Sequence, residues 1–157
     1  MKFSTREDIE VPVELVFGAV TDFSAFERAA MRRGAEVVRI DRHGPDGPRH
    51  NWTIRFPLRG KMRRVNCSLV EYDPPRGLLV DAGSSGFDGM LRVSLLALSR
   101  QRTRLGVELE IRPRNLSSRM LLQAIRIGKP RYARRFRARV KAYTTELELR
   151  HRARGAV

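Results

Sequence analysis

The chain has 157 residues, a single cysteine, and 32 lysines and arginines against 17 acids, for a formal net charge of +15 and a pI near 11.5. That length suits one domain able to bury a sizeable core. The lone Cys67 excludes an internal disulfide and a cysteine zinc cluster, and no apolar run approaches the ~18 residues of a membrane-spanning helix.

Hydrophobic and charged fractions of 41% and 31% describe a globular rather than a disordered chain. The basic balance predicts attraction to anionic surfaces: nucleic acid, acidic lipid or an acidic partner. Arginine outnumbers lysine 28 to 4, and a GC-rich coding sequence would produce the same excess without any functional demand. Acids among residues 1–8 stand where a signal peptide has its apolar core, so a cytoplasmic location is the expectation.

In chain order, residues 2–11 alternate Phe3, Thr5, Glu7 and Ile9 with polar neighbours, a first strand of weak amphipathy. Pro12 fits the first turn of a helix, where a missing N–H costs nothing, and Val13, Val16, Phe17 and Val20 give that helix an apolar face. Ser24 is the expected cap of a second short helix carrying Phe26, Ala29 and Ala30, which Gly34 ends. Strand patterns follow. Val37, Val38 and Ile40 lie in 35–41; 43–48 is rich in turn residues; Trp52, Ile54 and Phe56 share a face in 51–56. Val65, Cys67 and Leu69 share one in 62–72, and 78–82, 90–98 and 104–112 complete the set. In the last, Leu105, Val107, Leu109 and Ile111 alternate cleanly with polar residues and Gly106. Short turns demand antiparallel neighbours, and one apolar face means a sheet covered on one side.

The cover is residues 116–150, an amphipathic helix capped by Asn115 and kinked at Pro130, which removes a hydrogen bond to Arg126. On a helical wheel Leu121, Leu122, Ile125, Tyr132, Phe136, Val140, Tyr143 and Leu147 share about a third of the circumference. Opposite them are Arg126, Arg131, Arg134, Arg135, Arg137 and Lys141. No acid lies between Glu110 and Glu146. A solvated face normally mixes signs, so this one reads either as composition bias or as a face for an anionic surface. No linker or repeat divides the chain: 1–150 is one domain and 151–157 a basic tail.

The run Ile9-Glu10-Val11-Pro12-Val13-Glu14-Leu15-Val16-Phe17-Gly18-Ala19-Val20-Thr21-Asp22-Phe23 resembles the opening of the polyketide cyclase/dehydrase-like branch of the START-related (SRPBCC, Bet v 1-like) superfamily. There a strand runs into a V-P-x-E-x-V-F helix and ends in an aspartate before an aromatic. The chain departs from relatives with a tryptophan-rich second helix, having Phe23-Ser24-Ala25-Phe26-Glu27 instead. The resemblance implies an α+β helix-grip fold: two short helices after the first strand, and a seven-stranded antiparallel sheet curved around a long C-terminal helix, with an apolar cavity between. Members bind lipids, hormones, polyketides or quinones, and some catalyse cyclisation or hydrolysis; fold alone does not choose among these.

The inward apolar residues give the expected ligand contacts: Trp52, Ile54, Phe56, Cys67, Leu69, Leu91 and Leu109 from strands, and Leu121, Ile125, Tyr132 and Phe136 from the helix. Trp52 and Tyr132 have polar tips to orient a ligand. No catalytic set stands out. Cys67 on an apolar strand face reads as packing rather than as a nucleophile. His43 and His50 flank a turn with Asp41 and Asp46 but lack metal-ligand spacing, and no cofactor is expected. Gly83-Ser84-Ser85-Gly86 lacks the context of a phosphate loop and reads as a mobile hairpin at the cavity mouth.

Three functions follow. The favoured one is non-enzymatic binding or transport of a hydrophobic small molecule (a lipid, quinone or polyketide-like compound), with a variant in which the basic exterior docks on the inner face of the membrane. The second, a cyclase/dehydrase-type enzyme, needs polar residues such as Asn51, Tyr72, His50 and Asp81 in the pocket. The third is a ribosome- or nucleic-acid-associated basic protein.

Overall fold

The structure, a computed structural model, describes residues 1–44, 47–58 and 60–155. Its elements are β1 (Lys2–Ile9), α1 (Val13–Val20), α2 (Phe23–Arg32), β2 (Glu36–Gly44), β3 (Gly47–Leu58), β4 (Lys61–Asp73), β5 (Gly77–Gly83), β6 (Phe87–Ser99), β7 (Arg102–Pro113), α3 (Leu116–Arg126) and α4 (Lys129–Gly155). The seven strands form one antiparallel sheet in the order β1-β7-β6-β5-β4-β3-β2. The antiparallel sheet expected from the strand pattern, and the α+β helix-grip architecture implied by the resemblance, are present.

Register decides which residues meet the helices. Phe3 stands opposite Leu109, Leu109 opposite Leu91, Leu91 opposite Val80 and Val80 opposite Leu69, so one apolar row crosses five strands. A parallel row runs from Trp52 through Cys67 and Ala82 to Gly89. A bulge between Leu69 and Glu71 adds a residue to β4 and returns Tyr72 to the inner face, where its ring lies 5.5 Å from that of Phe17.

Some local expectations are revised. Pro12 is the N-cap of α1 rather than part of its first turn. Asp22, not Ser24, caps α2: its carboxylate accepts the Ala25 N–H at 3.2 Å. Gly34, at φ +93°, closes α2 in a conformation that disfavours a side chain. Asn115 caps α3 as expected, accepting the Ser118 N–H at 2.9 Å. The kink expected at Pro130 is a full break, with α3 ending and α4 beginning around Gly128. The expected basic tail from residue 151 is instead the end of α4, which continues to Gly155. Of the turn residues between β2 and β3, Pro45 and Asp46 lie outside the described residues, as does Arg59 between β3 and β4.

Helix α4 is strapped along β1. The Phe3 and Phe136 rings are 6.0 Å apart, Lys141 reaches Glu7 at 3.3 Å, and the Glu10 N–H donates to the Glu148 carboxylate at 3.1 Å. Helix α1 packs on β6 and β7 at one end of the sheet, and α3 on β7 at the other.

Candidate ligand-binding cleft

The two ends of the concave face are built differently. Where β1 ends and β7 begins, Ile9, Val16, Leu105 and Thr103 are fully enclosed, joined by Val11, Phe17, Val20, Leu95 and Leu147. The Thr103 hydroxyl donates to the Val11 carbonyl at 2.7 Å and the Thr144 hydroxyl to the Lys141 carbonyl at 2.9 Å, so these deeply buried hydroxyls are satisfied. Gly77 belongs here by necessity: a Cβ on it would collide with the Val93 carbonyl oxygen.

Along the rest of the sheet the inner residues are only half-buried. Val80, Leu91, Val107 and Leu109 lie on β5, β6 and β7, each of which has a neighbour on both sides. Flanking strands cover these side chains laterally; Val80 and Val107 pack against the core cluster, whereas Leu91 and Leu109 lie outside it and stay partly exposed. Ile54, Phe56 and Cys67 extend the same half-covered floor over β3 and β4, and Ile125 and Phe136 face it from α3 and α4. Burial pushes the Cys67 thiol up from its ordinary value, away from the reactive thiolate.

At the open end the hairpin Gly83-Ser84-Ser85-Gly86 is tied down rather than loose. The Ser84 N–H donates to the Phe87 carbonyl at 2.9 Å, the Arg114 N–H to the Gly86 carbonyl at 2.8 Å, and the Arg114 guanidinium to the Ser84 carbonyl at 2.8 Å. A Cβ at Gly86 would meet the Ser118 Oγ at 2.5 Å, so α3 sits directly on this turn.

Most of the residues expected to contact a ligand are at least partly covered. Ile54, Phe56, Cys67, Leu91, Leu109, Ile125 and Phe136 are half-buried, while Trp52 and Leu69 are buried. Two are not. Leu121 is 41% exposed, on the flank of α3, and Tyr132 is 40% exposed with its ring over Gly128, at the helix break. On the helical wheel both sit at the rim of the apolar sector, roughly 50–70° from the centre of its covered members, and there they stay exposed. Of the expected basic face, Arg126, Arg131, Arg134, Arg135 and Arg137 are exposed, with no carboxylate within salt-bridge distance among the described residues. Lys141 differs, because it is held by Glu7 of β1.

The polar candidates separate by face. Asn51 and Asp81 lie on the outer face, where the Ser68 hydroxyl donates to the Asn51 side chain at 2.7 Å and Asp81 lines an open trough of about 390 Å³ with Asn66, Ser68, Glu110 and Arg112. Tyr72 and His50 turn inward. His50 Nδ1 is 2.6 Å from Asp41 Oδ1, and its ring is 5.2 Å from Phe23 and 5.9 Å from Trp52. Arg39 joins them, 3.2 Å from Asp41 and 3.1 Å from Glu27 of α2. The sequence offered His50 as a pocket residue and set it with Asp41 beside a turn, but did not pair the two in this constellation. Its signal was parity, since His50 is two residues before Trp52 and shares its face. The His43 side chain and Asp46 lie outside the described residues, and among those described no three His, Cys, Asp or Glu residues form a metal-binding group.

A seven-stranded antiparallel sheet with a long C-terminal helix along it and two short helices after the first strand is the architecture of the START-like class of folds. The sequence profile of the family described as polyketide cyclase/dehydrase and lipid transport matches residues 1–144, and the chain belongs to that family, within the SRPBCC superfamily. No curated protein matches it by sequence. An aromatase/cyclase from a Streptomyces species is similar in structure, at 16% identity and a TM-score of 0.70, with 100% of this chain and 99% of that one covered. A protein from Thermus thermophilus is similar at 15% identity and TM-score 0.67, covering 94% and 97% of the two chains. A START superfamily protein from Mycobacterium smegmatis gives 16% and 0.57, covering 90% and 98%. At such identities the likeness is one of fold.

Proposed function

We propose that the protein binds a hydrophobic small molecule, a lipid, quinone or polyketide-like compound, in the cleft between the sheet and α4, and carries it without chemical change. The observation that carries this reading is the half-buried state of Val80, Leu91, Val107 and Leu109 in the middle of the sheet. Apolar surface left open there keeps a cost of about 25 cal/mol per Å² that a ligand would remove. Family membership supports the same class of ligand. The test is fluorescence titration with a neutral apolar probe, N-phenyl-1-naphthylamine. Wild type is expected to bind it, and Leu91→Trp and Leu109→Trp, which fill the floor, to lose at least about tenfold in affinity. Equal binding by all three proteins would overturn the proposal.

A second reading is favoured by the Asp41–His50 pair. A carboxylate bonded to Nδ1 fixes the tautomer and leaves Nε2 to take or give a proton, and Phe23 and Trp52 wall that side of the ring. On this reading the protein is a cyclase/dehydrase-type enzyme. Incubation with a linear β-polyketone would then yield an aromatic chromophore, and Asp41→Asn and His50→Gln would each abolish it. No chromophore above the buffer control removes the reading.

A further inference from the structure

Helix α3 is apolar on two sides. Ser118, Leu122 and Ile125 occupy a sector of about 60° turned toward the sheet, at the helical 100° per residue, and the first two are buried. Leu116, Met120 and Ile127 lie within about 40° of one another on the opposite side. They are 71%, 63% and 89% exposed, and Ile127 keeps helical backbone angles, which extends the ridge past the last turn. Three large apolar side chains in a row facing water are unusual on a soluble surface.

The surroundings specify what this ridge meets. Arg119 and Arg126 flank it, and Lys129 and Arg131 follow at the break, all exposed. The nearby acids Asp88 and Glu110 are engaged by Arg114 at 3.7 Å and Arg112 at 2.8 Å. At the same end of the sheet, the β3–β4 hairpin carries exposed Leu58 and Met62 next to Lys61. A nucleic-acid duplex has no use for an apolar ridge, and a second copy of this chain would bring equal positive charge against it. A bilayer with anionic headgroups accepts both features, burying the ridge at the acyl boundary and pairing the cations with phosphates. No helix of the described chain is long and apolar enough to cross a membrane, so α3 would lie in the interface.

We infer that α3 is an interfacial docking element that inserts Leu116, Met120 and Ile127 into an anionic lipid surface, at the open end of the cleft. The inference rests on the proposed ligand-binding reading only for its purpose: docking at this end lets an apolar molecule pass between bilayer and cleft without crossing water. The physical attachment stands on the ridge and its cations.

The test is flotation of the full-length protein with phosphatidylcholine vesicles, with and without phosphatidylglycerol, on wild type and the triple variant Leu116→Ser, Met120→Ser, Ile127→Ser. All three positions are exposed, so circular dichroism and N-phenyl-1-naphthylamine binding should match wild type; that retained probe binding separates failure here from failure of the ligand reading. Wild type is expected to float with the anionic vesicles and only weakly with phosphatidylcholine alone, and the triple variant to lose on the order of 100-fold in affinity. The second variant, Arg126→Gln with Lys129→Gln and Arg131→Gln, should lose the preference for phosphatidylglycerol. Flotation of the serine variant equal to wild type, abolished by salt in both, would show charge attraction without insertion and overturn the inference. So would wild-type binding to duplex DNA with none to vesicles, or a dimer that the serine substitutions dissociate.

Discussion

The sheet is the same construction at both ends, yet one end is fully buried and the other only partly covered. At the closed end α1 contributes Val16, Phe17 and Val20, and α4 contributes Leu147, to cover Ile9, Leu95 and Leu105. At the other end α3 turns only Ser118, Leu122 and Ile125 inward and leaves its remaining apolar residues outside. Burial is therefore uneven along one sheet, concentrated where α1 docks and weaker where α3 sits.

The sharpest way to break that comparison is to truncate one leucine at each end of β7. Leu105→Ala empties an enclosed site and should cost about 2–5 kcal/mol in chemical denaturation. Leu109→Ala, at a partly exposed site, should cost less than half of that. Equal losses would mean that the floor is packed after all. Enlargement gives the reciprocal result: Val16→Phe has no room and should destabilise by about 1–3 kcal/mol, whereas Leu91→Phe should change the denaturation midpoint little. A polar pair refines the contrast. Thr103→Val orphans the buried Val11 carbonyl at a cost of about 1–3 kcal/mol. Thr53→Val removes an exposed bond to the Asn66 side chain, 3.1 Å long, and should be close to neutral by the same measurement.

The smallest effect is one of pH. Burial pushes Tyr143 up to about 12, above the ordinary tyrosine value of about 10. A folded-state value raised in this way favours the neutral phenol, so its contribution is fully present below pH ~10 and is lost as pH rises from there through about 12. Ultraviolet absorbance titration should show one tyrosine ionising late, and Tyr143→Phe should remove that step together with its part of the alkaline slope.

Much of this architecture was legible in residue order. The alternation of Leu105, Val107, Leu109 and Ile111 placed the floor, and Asn115 placed the start of α3. What escaped was phase. The Leu69/Glu71 bulge turns Tyr72 inward against simple alternation, and Leu121 and Tyr132, at the rim of the helical wheel's apolar sector, are exposed rather than buried. The outer ridge of α3 was hidden because a single stripe accounted for only one apolar face. Glycines and prolines near His50 marked a turn, although β2 and β3 continue to Gly44 and from Gly47 and bring Asp41 opposite His50. Composition bias remains a sufficient source of the arginine excess; it does not account for Leu116, Met120 and Ile127 standing among those cations.

An open sheet must also end somewhere, and here it ends in two unlike strands. The β1 edge is shielded by α4, whereas β2 is the last strand on its side. Its Val38 and Ile40 are exposed, the kind of sequence that invites pairing with another chain. Arg39, Asp41 and Arg42 interrupt that run, so a second strand approaching to extend the sheet would meet a charge at nearly every other step. The strand that contributes Asp41 to the His50 constellation thus carries, on an edge, the interspersed charge that disfavours edge-to-edge pairing.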